Sequence, residues 1–341
     1  MLIIYKNIII LILICVINFN IFIYYFNIMA SEPEYCNPNN TSKTNFSCFS
    51  ENQIYAIINR FNQLYPNNKI RCVSRPISAC YGELKEKLSQ LKNKKLKNEW
   101  CWTEDKDFSD IFKNTKKLIF VPKMPSEWCP TIKKWREQRI DAPWLSNFDI
   151  DDVLTQYDKK YPGFEFLGTF PIDFYKKKKY GCVSHLCNFN INEIVSRNKY
   201  AFGLVLNTDS SDGPGEHWIS LYCNINKKCM YFFNSATNIK TRIPPEIIEF
   251  ARSIMKQIKD LYKVTLNFKF NNKKKHQMSN SECGMYAIYF ILCMLDADEV
   301  NGSCDKEFEQ YFNNPTHTVT DALMVQKRQE YFRPNCECDE S

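Results

Sequence analysis

From Cys283 to Leu295 the chain runs without a charged residue, and this stretch limits the fold most. A helix that is apolar all round has to be covered by other elements. The residues before it read as that cover. Phe164–Phe170 alternates like a strand, and Tyr200–Asn207 is an apolar strand. His217–Asn224 and Cys229–Asn234 read as a strand pair. A helix opens at Pro244 and runs to about Tyr262, Val264–Phe270 alternates again, and Asn271–Ser281 is a polar loop. Strand, strand, helix, strand, loop, helix is the order of an α+β domain.

That domain uses about half of a 341-residue chain, and at about 100–200 residues per domain a second unit is expected. Ser50-Glu51-Asn52-Gln53 is a capping-box pattern. Ile54, Ile57, Ile58, Phe61 and Leu64 follow at helical spacing. Leu84–Leu96 predicts a second helix, with Lys92, Lys94, Lys95 and Lys97 on a solvated face. Residues 100–130 are irregular apart from a strand expected at Leu118–Val121, and a new unit is expected to start near Trp135. Asp149 is read as the cap of a helix reaching about Tyr157, Lys176–Lys179 as an exposed turn, and Ile191–Ile194 as a short helix or turn. Thr208–Glu216 is read as a flexible acidic loop. The expected division is a mainly helical arm over residues 29–130, the α+β domain over 131–300, and a polar tail over 301–341.

Residues 1–28 have two readings. Ile8–Ile17 is an unbroken apolar run in a stretch whose only charge before Glu32 is Lys6, as in a signal anchor. Apart from Met1, Cys15 and Val16, however, every residue through Ile28 is one that AT-only codons encode, and Met29-Ala30-Ser31 opens ordinary polar sequence. On the second reading Met29 is the true start, and membrane association arises only on the first.

The net charge is +7 with both signs spread along the chain, which is no nucleic-acid tail, and no specific nucleic-acid partner is expected. The 16 cysteines include no CxxC pair, and Cys182, His185 and Cys187 lack a fourth partner at zinc-site spacing, so no metal is expected. The expectation is a protein with reduced thiols.

Cys283 differs from the other cysteines in its setting. Ser279, Asn280 and Ser281 are good cap residues, and a thiol at a helix N-terminus feels the positive end of the macrodipole, which favours thiolate. Gly284 leaves room for an incoming carbonyl. A sulfur nucleophile needs a base, and His217 stands at a strand start directly after the acidic loop. Asn234, at the end of the neighbouring strand, can accept from the imidazole, and Gln277 can donate to an oxyanion beside the Cys283 N–H.

His217-Trp218, Asn234, Gln277 six residues before Cys283, and Glu282-Cys283-Gly284 occur in the order that resembles the ubiquitin-like-protein-specific cysteine proteases. These are the SUMO proteases and viral relatives such as the adenovirus protease. Trp144-Leu145-Ser146-Asn147 is similar to that family's Trp-Leu-Asn-Asp opening but departs from it at both polar positions. Cellular members usually carry Asp where this chain has Asn234. In that respect it resembles the core-polyprotein protease of African-swine-fever-type viruses, and in its AT-rich composition and helical N-terminal extension it resembles the thiol proteases of mimivirus-like viruses.

The resemblance implies a papain-like or adenain-like fold, a thiol endopeptidase without metal or cofactor, and a Gly-Gly-like cleavage site clamped between Trp144 and Trp218. It implies as substrate a viral structural polyprotein, or alternatively a ubiquitin-like modifier removed from host conjugates. Virions and host cytoplasm are the expected locations. A virion structural or binding protein without turnover is the alternative of another class, and the complete residue set speaks against it.

Overall fold

The computed structural model describes residues 35–91, 96–124, 143–179, 181–237, 240–298 and 304–336. The two readings of residues 1–28, the unit start at Trp135 and the lysines 92, 94 and 95 lie outside them. The chain divides into a unit ending at Phe120 and a unit from Val121 onward, with Asn37–Asn39 grouped with the second. Among the described residues no helix is long and apolar enough to cross a membrane.

In the first unit, α1 (Glu51–Leu64) starts on the expected capping box. Ser50 Oγ accepts the Gln53 N–H at 3.3 Å, and Gln53 Oε1 accepts the Ser50 N–H at 2.8 Å. Ile54, Ile57, Ile58 and Phe61 are buried, as their spacing predicts. The second helix, α2 (Ile77–Ser89), starts earlier than Leu84 and ends earlier than Leu96. Two short helices follow, α3 (Glu99–Trp102) and α4 (Lys116–Ile119). The first half of the strand expected at Leu118–Val121 is thus helix, and only Phe120 makes a bridge, to Cys36. Phe49 stacks on Trp102 and Phe112 at the centre of the unit. Beside them Glu99 is buried, which is tolerable because its carboxylate accepts from Ser47 Oγ, the Cys48 N–H and Tyr81 Oη.

The second unit is built on a five-stranded mixed sheet, confirming the α+β expectation. α5 (Asn147–Leu154) precedes β1 (Phe164–Pro171). The turn expected at Lys176–Lys179 is part of a small hairpin, β2 (Lys177–Lys178) with β3 (Gly181–Cys182). α6 (Ile191–Ser196) leads into β4 (Ala201–Asn207), β5 (Trp218–Asn224) and β6 (Cys229–Phe233). Then come α7 (Pro245–Tyr262), β7 (Asn267–Phe270) and the apolar helix α8 (Cys283–Asp296). The strand order is β1-β4-β5-β6-β7, antiparallel within β4-β5-β6 and parallel at both edges.

Both sheet faces are covered, as alternation along the strands requires. Tyr222, Tyr231 and Phe233 join the core of α8, with Met285, Ile288 and Phe290. Leu221, Cys223, Met230 and Phe232 face the other way, against Ile247, Phe250, Ile254 and Ile258 of α7. At Gly203 of β4 the packing leaves little room, since a Cβ there would lie 3.2 Å from Phe164 and 3.3 Å from Ile291 of α8.

Two expectations are corrected. Residues 304–336, expected as part of a polar tail, fold back onto the α8 face. Phe308 and Phe312 lie in a short helical segment and Met324 and Tyr331 in α9 (Asp321–Tyr331), all in one core with α8. The apolar residues there are too widely spaced among polar ones to announce a core. The thiols are not all reduced: Cys36–Cys48, Cys72–Cys80 and Cys182–Cys187 are disulfides, and Cys101 and Cys336 are disulfide-bonded as well. Partners brought within bonding reach by loops cannot be read from spacing alone.

Candidate active site

Cys283 is the first residue of α8, and its side chain is buried. The expected caps do not serve that helix. Its N-cap is Glu282, and no side chain caps the first turn. The N–H groups of Cys283 and Gly284 in that turn, with the N–H of Trp218 from β5, favour the thiolate instead. Burial outweighs them and pushes the thiol up from its ordinary range.

His217 immediately precedes β5, and the Trp218 N–H that reaches the sulfur belongs to its neighbour. Its Nε2 lies 2.9 Å from Asn234 Oδ1. The Ala236 N–H also meets that oxygen at 2.9 Å. An N–H can only donate, so the Asn234 amide is oriented with its oxygen inward, and His217 Nε2 must carry the proton. Nδ1 is left as the basic nitrogen. Burial lowers the His217 pKa from 6.5; the Asn234 oxygen opposes this, Lys275 adds to it, and Glu216 opposes it. The loop expected to be flexible is tied internally: Asn207 Oδ1 accepts the Asp209 and Glu216 N–H groups, and Asp209 accepts the Gly215 N–H.

Gln277 is buried in the loop before α8. Its Nε2 donates to the Ser279 carbonyl at 2.9 Å, and its Oε1 accepts from Ser235 Oγ at 2.7 Å. A carbonyl only accepts, so this amide is oriented too, and Nε2 keeps a second hydrogen. Trp218 is half-buried, and its indole N–H donates to the Leu145 carbonyl at 2.9 Å. Leu145 packs on Gly284, so the Trp144-Leu145 segment is seated directly on the start of α8, with Trp144 itself 52% exposed. Ser146, rather than Asp149, is the N-cap of α5, and Asp149 returns a bond to the Ser146 N–H.

Several residues of this constellation had no sequence signal. Asn271 holds the backbone of Asn234 through two hydrogen bonds. Arg328 pairs with Glu282, beside Cys283. Asp321 accepts the N–H groups of Met278 and Ser279, next to Gln277. Each is a common polar residue far in sequence from what it holds. Among the described residues no group of three or more His, Cys, Asp or Glu could hold a metal ion. Cys182 and Cys187 are bonded to each other, and His185 packs edge-on against Phe170.

A thiol under three N–H groups, with an imidazole of fixed tautomer and an oriented amide on adjacent segments, is equipped for acyl transfer. Fold and site define a cysteine protease. Residues 191–333 match the family described as the Ulp1 protease family, C-terminal catalytic domain, so this part of the chain is similar to a Ulp1-like cysteine-protease domain. A protein of Acanthamoeba polyphaga mimivirus named "Putative thiol protease" is 23% identical over 89% of this chain and 97% of its own length. A cysteine protease of African swine fever virus is 30% identical over 48% of this chain, and the match spans 65% of that relative. The crystal structure of the African swine fever virus protease superposes with a TM-score of 0.56 at 20% identity, covering 91% of this chain and 99% of that one, so the fold is shared.

Proposed function

We propose that this protease is a viral thiol endopeptidase that cleaves after Gly-Gly-like sites in virion structural or core polyproteins. The observation that carries the reading is the Nε2–Oδ1 bond between His217 and Asn234 at 2.9 Å, which frees Nδ1 as the base next to the segment that covers Cys283. In the proposed reaction Nδ1 takes the thiol proton as Cys283 Sγ attacks the scissile carbonyl carbon. The oxyanion is met by the Cys283 N–H and the second hydrogen of Gln277 Nε2. The C–N bond then breaks, the leaving amine takes the proton from His217, and water hydrolyses the thioester by the same base. Asn234 is a neutral orienting acceptor. It stabilises imidazolium less than a carboxylate does, but the attacking sulfur itself contributes negative charge.

Trp144 and Trp218 support the Gly-Gly preference. One is linked to the other's neighbour through the Leu145 carbonyl, and a narrow channel between indoles admits residues without side chains. Virions and the host cytoplasm are the proposed places of action. Removal of a ubiquitin-like modifier is the second reading, favoured by the name "SUMO-1 cysteine protease" that other African swine fever virus relatives bear.

Wild type and Cys283→Ala should be incubated with candidate core polyproteins, with modifier conjugates and with a thiol-directed peptide probe. Polyprotein cleavage and probe labelling by wild type alone are the expected result. Cleavage of conjugates and of no polyprotein would transfer the assignment to the second reading. Equal labelling of both proteins would refute Cys283 as the nucleophile.

A further inference from the structure

We propose that Asn271 is a positioning residue for the His217–Asn234 pair, an inference that rests on the thiol-protease reading above. Asn271 is fully buried and is the first residue beyond β7. Its side chain makes, by itself, the pairing a neighbouring strand would make. Oδ1 accepts the Asn234 N–H at 2.9 Å, and Nδ2 donates to the Asn234 carbonyl at 2.9 Å. The amide has one orientation only, because a backbone N–H cannot accept and a carbonyl cannot donate.

The place in the sheet explains why a side chain is needed. The β6–β7 ladder ends at the Phe232–Phe270 pair, two residues before Asn234. Asn234 therefore leaves the sheet where no strand backbone remains to hold it. Its side chain is held by His217 Nε2 and the Ala236 N–H, and its carbonyl also accepts the Thr237 N–H at 3.1 Å within the following turn, so the Asn271 clamp is what ties its backbone to the end of β7. Without the clamp, the Asn234 N–H loses its partner and the carbonyl keeps only the turn bond, and the segment has to move to recover the pairing. A movement of Asn234 is a movement of the oxygen that sets the His217 tautomer. Few other side chains can do this. Asp would set an oxygen against the Asn234 carbonyl, and Leu would pair with neither group.

The proposal is tested by a double-mutant cycle of Asn271→Asp, which keeps the shape of the side chain, with Asn234→Ala. The substrate is a fluorogenic peptide ending in Gly-Gly, and each variant is also checked by thermal unfolding. Asn271→Asp is expected to lower kcat/KM about tenfold through kcat, with KM unchanged, and to add nothing in the Asn234→Ala background. The titration of His217 supplies a readout that does not need turnover. With four histidines in the chain, its ring is assigned in 15N spectra by a His217→Gln control. Asn271→Asp is expected to lower the share of the Nε2–H tautomer. Lys275 and Glu216 stay in place in every variant, and because the carboxylate at position 271 would itself raise the midpoint, the tautomer share carries the readout and Asn271→Ser, which adds no charge, reports the midpoint.

Wild-type kinetics and a wild-type His217 tautomer share in Asn271→Asp would overturn the proposal, as would an equal loss in both backgrounds. Wild type without turnover would sink the protease reading alone, because the titration still reports whether Asn271 acts on the pair. If Asn271→Asp does not fold, Asn271→Ser, which keeps one of the two bonds, carries the same cycle.

Discussion

Arg328 Nε donates to Glu282 Oε2 at 2.9 Å, with the two side chains 1% and 2% exposed, and so ties α9 to the residue directly before Cys283. A second guanidinium nitrogen donates to the Pro143 carbonyl at 3.0 Å, beside Trp144. One side chain from the far end of the chain thus braces both the residue before Cys283 and the segment that leads into Trp144. Arg328→Leu would leave Glu282 buried without its cation, a change expected to cost about 3–5 kcal/mol of stability. Urea unfolding measures it, and Arg328→Leu with Glu282→Leu should regain part of the loss. Unchanged stability in the single variant would show that the pair contributes nothing.

A Cβ at position 284 would lie 2.9 Å from the Leu145 Cβ and 3.0 Å from its Cδ1. Gly284→Ala is therefore expected to push Leu145 away, and with it Trp144 and the carbonyl that the Trp218 indole reaches. A stability cost of about 1–3 kcal/mol is expected from the overpacking, together with a loss of about tenfold or more in kcat/KM. Leu145→Ala in the same chain should relieve the stability cost. An unaltered kcat/KM in Gly284→Ala would mean that the Leu145 contact does not set the cleft.

Burial acts on both members of the proposed nucleophile–base pair, raising Cys283 and lowering His217. Both shifts favour the neutral thiol and neutral imidazole at rest, contrary to the thiolate that the helix N-terminus alone suggests. Alkylation of Cys283 by iodoacetamide, followed by mass spectrometry, should keep rising with pH through the ordinary thiol value of 9.0. A plateau reached in mild acid would instead establish a thiolate–imidazolium pair. kcat/KM should gain its base form at a pH below 6.5, where the lowered His217 loses its proton.

His276 shapes the acid stability of the same loop. Its Nε2 donates to the Phe312 carbonyl at 2.9 Å, and its Nδ1 accepts the Val319 N–H at 3.1 Å. Burial, first of all, holds its pKa below 6.5 in the folded chain. Above 6.5 neither folded nor unfolded ring carries the proton, and stability is unaffected. As pH falls below that value the unfolded chain takes up a proton that the folded one refuses, and stability drops. Urea midpoints measured from about pH 8 down to about pH 5.5 should fall, with a shallower slope in His276→Gln. His217 contributes with the same sign and keeps the slope from vanishing. An identical slope in wild type and variant would exclude His276 as a source.

The strands β4, β5 and β6 and the helices α7 and α8 were legible because burial on one or both faces leaves a periodic apolar pattern within each segment. α4 was misread as a strand because a four-residue helix leaves too short a pattern to separate the two. His217, Asn234, Gln277 and Cys283 stood out through their order and spacing, and the structure brings His217 onto Asn234 and Trp218 onto Cys283. Gln277 is joined to Asn234 through Ser235, whose hydroxyl no pattern singled out. Nor could composition tell that residues 304–336 are core rather than tail, since Arg328 looks like any surface arginine until its partner is known.

By itself the sequence determined the class of the domain, the order of its elements and the residue types of the site, because these are written in local periodicity and in the spacing of a few unusual residues. The tertiary structure decided which polar side chains hold that site in place. Asn271 on Asn234, Asp321 on Ser279 and Arg328 on Glu282 are ordinary residues 37, 42 and 46 positions from their partners. A hydrogen bond across such a separation depends on where the chain folds back, and the energy that folds it comes from the core, not from the pair.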